Sequence, residues 1–260
     1  MVSDNKFQLV TTIRSKVTDS LIGNDYLGGK QVDKMDTIRS KWLLATFAII
    51  WMSGCYPAHI PIVQKPITWD STRVQLSLQY LRERHGLDVD SPLIDPLMVV
   101  VHWTAIPSFE GSFRAFYPSI LPGRPLLQSA SALNVGIHFL VDQDGTVYQL
   151  LPEDHFARHV IGLNYCALGI ENVGDNDGHP LTNAQLKSDI RLIKYLLKKY
   201  PGIGYVIGHH EYREFAGTPL YKETNPDYFT EKIDPGDAYM EAIYRHLPRN
   251  RVTRRYHPNP

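Results

Sequence analysis

Leu97-Met98-Val99-Val100-Val101-His102 is a run of apolar, mostly β-branched residues that ends in a histidine. So short and so continuously apolar a stretch is the pattern of a strand covered on both faces, as in the interior of a parallel or mixed sheet. His102, followed by Trp103-Thr104, therefore stands where a buried strand meets a loop. Residues 137–141 and 146–151 flank Asp142-Gln143-Asp144-Gly145, whose Asp-Gly pair supplies the positive φ of a tight hairpin turn. Leu168-Gly169-Ile170-Glu171-Asn172-Val173 reads as a central strand with a carboxylate where an apolar residue is expected, and such a mismatch marks function. Tyr205-Val206-Ile207-Gly208 is a further short strand, running into His209-His210.

Helical signals lie between these strands. Asp70 caps a helix whose apolar positions Val74, Leu76, Leu78 and Leu81 recur partly at helical spacing, and Gly86 stops it. Thr182-Asn183-Ala184-Gln185 is a capping box, and Leu186, Ile190, Ile193, Leu196 and Leu197 carry an apolar stripe as far as Pro201-Gly202. A last helix opens after residues 231–236 and runs to about Leu247. Strands interleaved with helices predict an α/β fold: one domain over 67–247, with a central mixed β-sheet flanked by helices.

The 260 residues are 43% hydrophobic and 21% charged, with 27 basic and 27 acidic side chains. That composition is globular, and a net charge of zero gives no electrostatic reason to bind nucleic acid. A monomer is expected. Cys55 and Cys166 are too few for a disulfide framework, and neither belongs to a CxxC pair.

Cys55 closes an apolar stretch beginning at Trp42, shorter than the roughly 20 residues of a membrane span but of the length of a signal-peptide core. Arg39 and Lys41 precede it, and Met52-Ser53-Gly54-Cys55 resembles a bacterial lipobox, which implies cleavage before Cys55 and lipid attachment to its sulfur. The other reading is a buried helix with an internal cysteine. A start at Met35 gives the signal conventional proportions, so residues 1–34 read as a non-native or disordered extension and 35–54 as the signal peptide. Residues 55–66, with Pro57, Pro61 and Pro66, then form a lipidated tether. Residues 248–260, with Arg249, Arg251, Arg254 and Arg255, form a basic tail that reads as a solvated end. The mature chain is expected on the periplasmic side, anchored to a membrane. Tyr56, in place of the aspartate associated with inner-membrane retention, points to the outer one.

Two strand-terminal histidines, His102 and His209, and an aspartate before a helix, Asp234, offer the ligands of a three-coordinate zinc site with an open fourth position. Pro235 keeps Asp234 extended, so Lys232 and Asp234 face one side. Glu171 is placed to take a proton beside the metal. Singly, each residue has another reading. A strand-end histidine can be structural, Asp234 can be a helix N-cap, Glu171 can pair with a buried arginine and Lys232 can be a surface lysine. His210 adjoins His209, but neighbours on a strand point to opposite faces, so only one reaches the metal.

The joint order of residues 99–104, 138–150, 168–171, 206–209 and 232–236 resembles the second type of N-acetylmuramoyl-L-alanine amidase, a group that shares its fold with animal peptidoglycan recognition proteins and phage amidase-lysozymes. The resemblance covers roughly residues 97–247. It implies one zinc ion on His102, His209 and Asp234, with His209 preferred over His210, Glu171 as the catalytic carboxylate and Lys232 as the oxyanion-stabilising lysine. It also implies cleavage of the amide between muramic acid and L-alanine in peptidoglycan or muropeptides, in wall turnover or fragment recycling. Arg158-His159 occupies the place of a His-Ala-Gly in many relatives, so Arg158, His159 and also His138 are candidate substrate contacts. The irregular segment 211–231 is expected to form one wall of the groove. The alternative is a non-catalytic peptidoglycan-binding protein of the same fold, and a third reading is a zinc amidohydrolase acting on another amide.

Overall fold

The computed structural model describes residues 60–257. The readings of 1–34 as an extension, of 35–54 as a signal peptide and of Cys55 as a lipidation site lie outside the described residues. Met98–Trp103 forms β2, and Met98 to Val101 are wholly inaccessible to solvent, as a strand covered on both faces must be. It pairs in parallel with β5 (Ala167–Asn172) on one side and β6 (Tyr205–Gly208) on the other. β3 (Phe139–Val141) lies parallel to β5 and antiparallel to β4 (Val147–Gln149), closing the expected hairpin, with Gly145 at φ 86°. With β1 (Ile62–Gln64) at one edge, the sheet is mixed, with strand order β1-β4-β3-β5-β2-β6.

β1 corrects the described part, 60–66, of the stretch read as a tether over 55–66, whose residues 55–59 lie outside the described residues. It pairs in parallel with β4 as an edge strand, and Ile60 before it is buried. A strand of three residues between Pro61 and Pro66 is too short to show a period, and proline is tolerated at such an edge. The folded part therefore begins before Ile67.

Helices cover the sheet where the patterns place them. Asp70 caps α1 (Ser71–His85) through its side chain, and Gly86 ends it in the left-handed region at φ 64°. α2 (Phe109–Phe116) and the single turn α3 (Pro125–Gln128) fill the connection between β2 and β3. α4 (Asn183–Lys199) starts on the complete Thr182/Gln185 capping box. α5 (Asp237–Tyr244) starts from Gly236, so Asp234 lies outside that helix and is not its N-cap.

Alternation along β2 decides what each face carries. Val99 and Val101, with Leu168 and Ile170 of β5, pack with Leu192, Ile193 and Leu196 of α4 and with Met240 and Ile243 of α5. Met98 and Val100, with Ala167 and Ile207, face the other way, onto Val160 to Leu163 and onto Tyr212 and Phe215 of the 3-10 segment His209–Phe215. His102 and Glu171 continue this second face, away from α4 and α5. Cys166 is a buried free thiol, pushed up to about 12 by burial.

The C-terminal segment also differs from a solvated tail. Val252 is buried, Thr253 bridges to Tyr205, and Arg254 is paired with Glu211, Glu241 and Asp237. Spacing within the chain does not reveal these partners, because they come from a 3-10 turn and from α5. Among the described residues, no helix is long and apolar enough to cross a membrane.

Candidate metal centre and active site

Register brings the expected groups together. His102 stands opposite Glu171 across the parallel β2–β5 pair, and Val101 opposite Gly208 puts His209 one step beyond the end of β6. Residue 234 arrives from the segment before α5, where the Asp234–Pro235 peptide is cis. His102, His209 and Asp234 are all buried, and a ligand atom of each lies within 4.8 Å of the others. His209 Nδ1 is 3.1 Å and His102 Nδ1 3.6 Å from the same oxygen, Asp234 Oδ2. Tetrahedral ligands held 2.0–2.1 Å from a zinc ion stand about 3.3 Å apart, so these two distances straddle the edge of such a site. The donor set, two nitrogens and one carboxylate oxygen, fits zinc.

Protonation states agree with that fit. Burial pushes His209 down to about 3, helped by His102 and opposed by Asp234. Burial also lowers His102, against the pull of Asp234. At Asp234 burial works upward, but His209 and His102 outweigh it and hold the carboxyl far below the usual range. Two neutral imidazoles and one carboxylate are the states a metal requires of its ligands.

Glu171 is different. Burial first, then the charge of Asp234, raises its carboxyl well above the ordinary range, while Lys232 and Arg124 act in the opposite direction. Its Oε2 is buried and has no hydrogen-bond partner. An orphaned carboxylate oxygen costs free energy, which marks Glu171 as a group that meets its partner in a complex.

Glu171, His209 and Asp234 line a cavity of about 490 Å³. Glu171, His209, Lys232 and Asp234 form its floor chemistry, and Tyr228 and Thr230 place part of the 211–231 segment in its wall, as expected. Trp103, Thr104, Arg124 and Asn134 also line it and were not singled out by sequence reasoning. For Trp103 and Thr104 the signal was their place directly after His102. Arg124 lies in a Pro-Gly-Arg-Pro loop that carries no periodic signal.

The three candidate substrate contacts divide. His138 is wholly buried behind His159, where it accepts from the Gly169 N–H and donates through Nε2 to the His155 carbonyl, so it is a packed structural residue. Arg158 reaches the cavity wall, but its guanidinium is engaged by the carbonyls of Leu127, Ser131 and Leu133 and the Tyr228 hydroxyl. It braces the wall instead of offering a free cation. His159 lines the cavity and touches His102. His210 is absent from the lining of this cavity, and its backbone N–H and ring Nδ1 both donate to the Asp234 carbonyl.

Residues 92–237, more than half of the chain, match the Amidase_2 family model, N-acetylmuramoyl-L-alanine amidase. The chain belongs to this family. Among curated relatives, the endolysin of Escherichia phage T7 is 36% identical over 84 residues, which is 30% of this chain and 55% of the relative. The endolysin of Klebsiella phage KP32 is 34% identical over the same length, with the same coverage. The chain thus spans about half the length of the curated relatives it matches. Among solved structures, the endolysine N-acetylmuramoyl-L-alanine amidase LysCS of Clostridium intestinale URNW is 26% identical, covering 60% of this chain and 86% of that one at a TM-score of 0.40.

Proposed function

We propose that this family member is a zinc-dependent amidase that hydrolyses the amide between N-acetylmuramic acid and L-alanine in peptidoglycan or its fragments. The observation that carries the reading is the unpartnered Glu171 oxygen, in register with His102 and in one cavity with His209, Asp234 and Lys232. His102, His209 and Asp234 would hold the ion through Nδ1, Nδ1 and Oδ2. When bound, zinc supplies an activated water and a Lewis acid for the scissile carbonyl.

The chain's own residues do the rest. Glu171, whose carboxyl burial raises above its ordinary range, takes the proton released as the amide carbon is attacked and passes it to the leaving amine. Lys232 faces the same cavity as a cation and offsets the negative charge that develops on the carbonyl oxygen, a contribution of about 3 kcal/mol for one well-placed donor. The Trp103–Ile106 edge and Tyr228 line the same cavity and would flank the substrate. Free stem peptide and a muramyl sugar leave as products.

The lipobox-like Met52–Cys55 and the apolar run before it support an exported, membrane-anchored form acting in wall turnover or fragment recycling. Palmitate labelling that Cys55→Ser abolishes would support the anchor, and unlabelled wild type would remove it. For the activity, the test is mass spectrometry of purified muropeptides after incubation with zinc-loaded and chelator-treated protein. Stem peptide from the zinc-loaded protein alone is expected. Muropeptide bound and intact, with zinc in place, would favour the non-catalytic reading.

A further inference from the structure

His159 lines the cavity, but its two ring nitrogens are turned into the protein. Nε2 lies 3.1 Å from the Ala167 carbonyl oxygen, and Nδ1 lies 3.0 Å from His102 Nε2. A carbonyl oxygen only accepts, so the His159 Nε2 must carry the hydrogen. In a neutral ring Nδ1 is then bare, and a bare Nδ1 facing His102 Nε2 requires that His102 donate. His102 is thereby fixed with its hydrogen on Nε2 and its lone pair on Nδ1, the atom turned toward Asp234 Oδ2.

The surroundings hold His159 in this role. Its backbone N–H donates to Asn164 Oδ1 at 2.8 Å, and the N–H of Val160 donates to the same oxygen at 2.7 Å, which fixes the segment that carries the ring. His138 packs edge-on against it and is itself engaged at both nitrogens. Gly169 leaves the space: a Cβ there would stand 2.9 Å from His159 Nδ1 and 3.0 Å from Cε1. This contact gives Gly169, between Leu168 and Ile170 in a strand of otherwise ordinary pattern, a reason to lack a side chain.

We infer that His159 is a positioning residue whose hydrogen-bond relay, from His102 through His159 to the Ala167 carbonyl, sets the tautomer and orientation of His102 for metal binding. A ligating histidine usually gives its second N–H to a carboxylate, carbonyl or water, and loss of that partner typically costs 10–100-fold in metal affinity. Here a second imidazole carries the connection one step further, to the backbone of β5 beneath the site. The inference rests on the zinc reading of His102, His209 and Asp234.

Chelator-competition titration of zinc separates the two. Wild type, His159→Leu and His159→Gln are measured beside thermal unfolding of each metal-free protein. His159→Leu fills space without accepting a hydrogen bond, and its zinc affinity is expected to fall roughly 10–100-fold. His159→Gln can accept from His102 with its oxygen and donate to Ala167 with its amide, so it should restore affinity to within about threefold of wild type. Nitrogen-15 spectra of the metal-free wild type should show His102 protonated at Nε2 and bare at Nδ1. Full affinity in a folded His159→Leu, a glutamine variant as weak as the leucine one, or the opposite His102 tautomer would overturn the relay. The wild-type spectrum decides if the leucine variant does not fold. Wild type that binds no zinc would instead defeat the reading of the metal centre.

Discussion

Asp189 gives the fold a pH dependence that one substitution isolates. The side chain is buried on α4, its Oδ2 accepts from Asn172 Nδ2 and from the Tyr239 hydroxyl, each at 2.9 Å, and its Oδ1 has no partner. Burial, opposed by those two donors, raises the carboxyl from 3.8 to about 7. The unfolded chain releases this proton near pH 4 and the folded chain holds it until about 7, so between those values the native state binds one proton more. Stability therefore falls as pH rises through that window: the contribution is complete below about pH 4 and gone above about 7. About three units at about 1.4 kcal/mol each set a ceiling of about 4 kcal/mol. Asp189→Asn keeps the acceptor oxygen and removes the titration. The buried histidines have depressed values and act in the opposite sense, losing stability as pH falls, but they cancel in the difference between variant and wild type. Urea unfolding of the metal-free proteins should show the variant gaining roughly 2–3 kcal/mol on wild type between about pH 5 and about pH 8. A difference that stays constant across that range, or shrinks with rising pH, refutes the argument.

Two further substitutions test the packing around the site. Gly169→Ala places a methyl 2.2 Å from Ile137 Cδ1 as well as against His159, so it should destabilise the fold by about 1–3 kcal/mol in urea unfolding and weaken zinc binding with it; unchanged values on both counts would show that the ring moves freely. Arg158→Met leaves the carbonyls of Ser131 and Leu133 without their donor, at a cost of about 2 kcal/mol or more; an effect confined to KM, with stability intact, would return Arg158 to the substrate.

Most of the framework was legible because it rests on local rules. The run 97–102, the Asp-Gly turn, the Thr182/Gln185 box and the Asp70 and Gly86 caps each state their own geometry. α2 was missed, although Ser108 at its cap and Phe109, Phe113 and Phe116 along it carry a helical signal. β1 was hidden by its length, because a three-residue edge strand is defined by its partner and not by its period. At the site, His102, Glu171 and His209 carried the mismatch of polar groups in or after apolar strands, Lys232 and Asp234 came with the segment before the last helix, and the fold brings all five together. Arg158 and His138 could not be read in the same way. Their hydrogen-bond partners lie across loops, and the chemical type of a residue does not say whether its polar atoms are already engaged.

The central claim is that Glu171 moves the proton beside a metal held by His102, His209 and Asp234. Its most direct test is single-turnover muropeptide cleavage by wild type and Glu171→Gln, each with its bound zinc counted. One zinc per chain in both proteins, with the rate of the variant lower by roughly 10²–10⁴-fold, is the predicted result. A variant that holds zinc and cleaves at the wild-type rate would contradict the account.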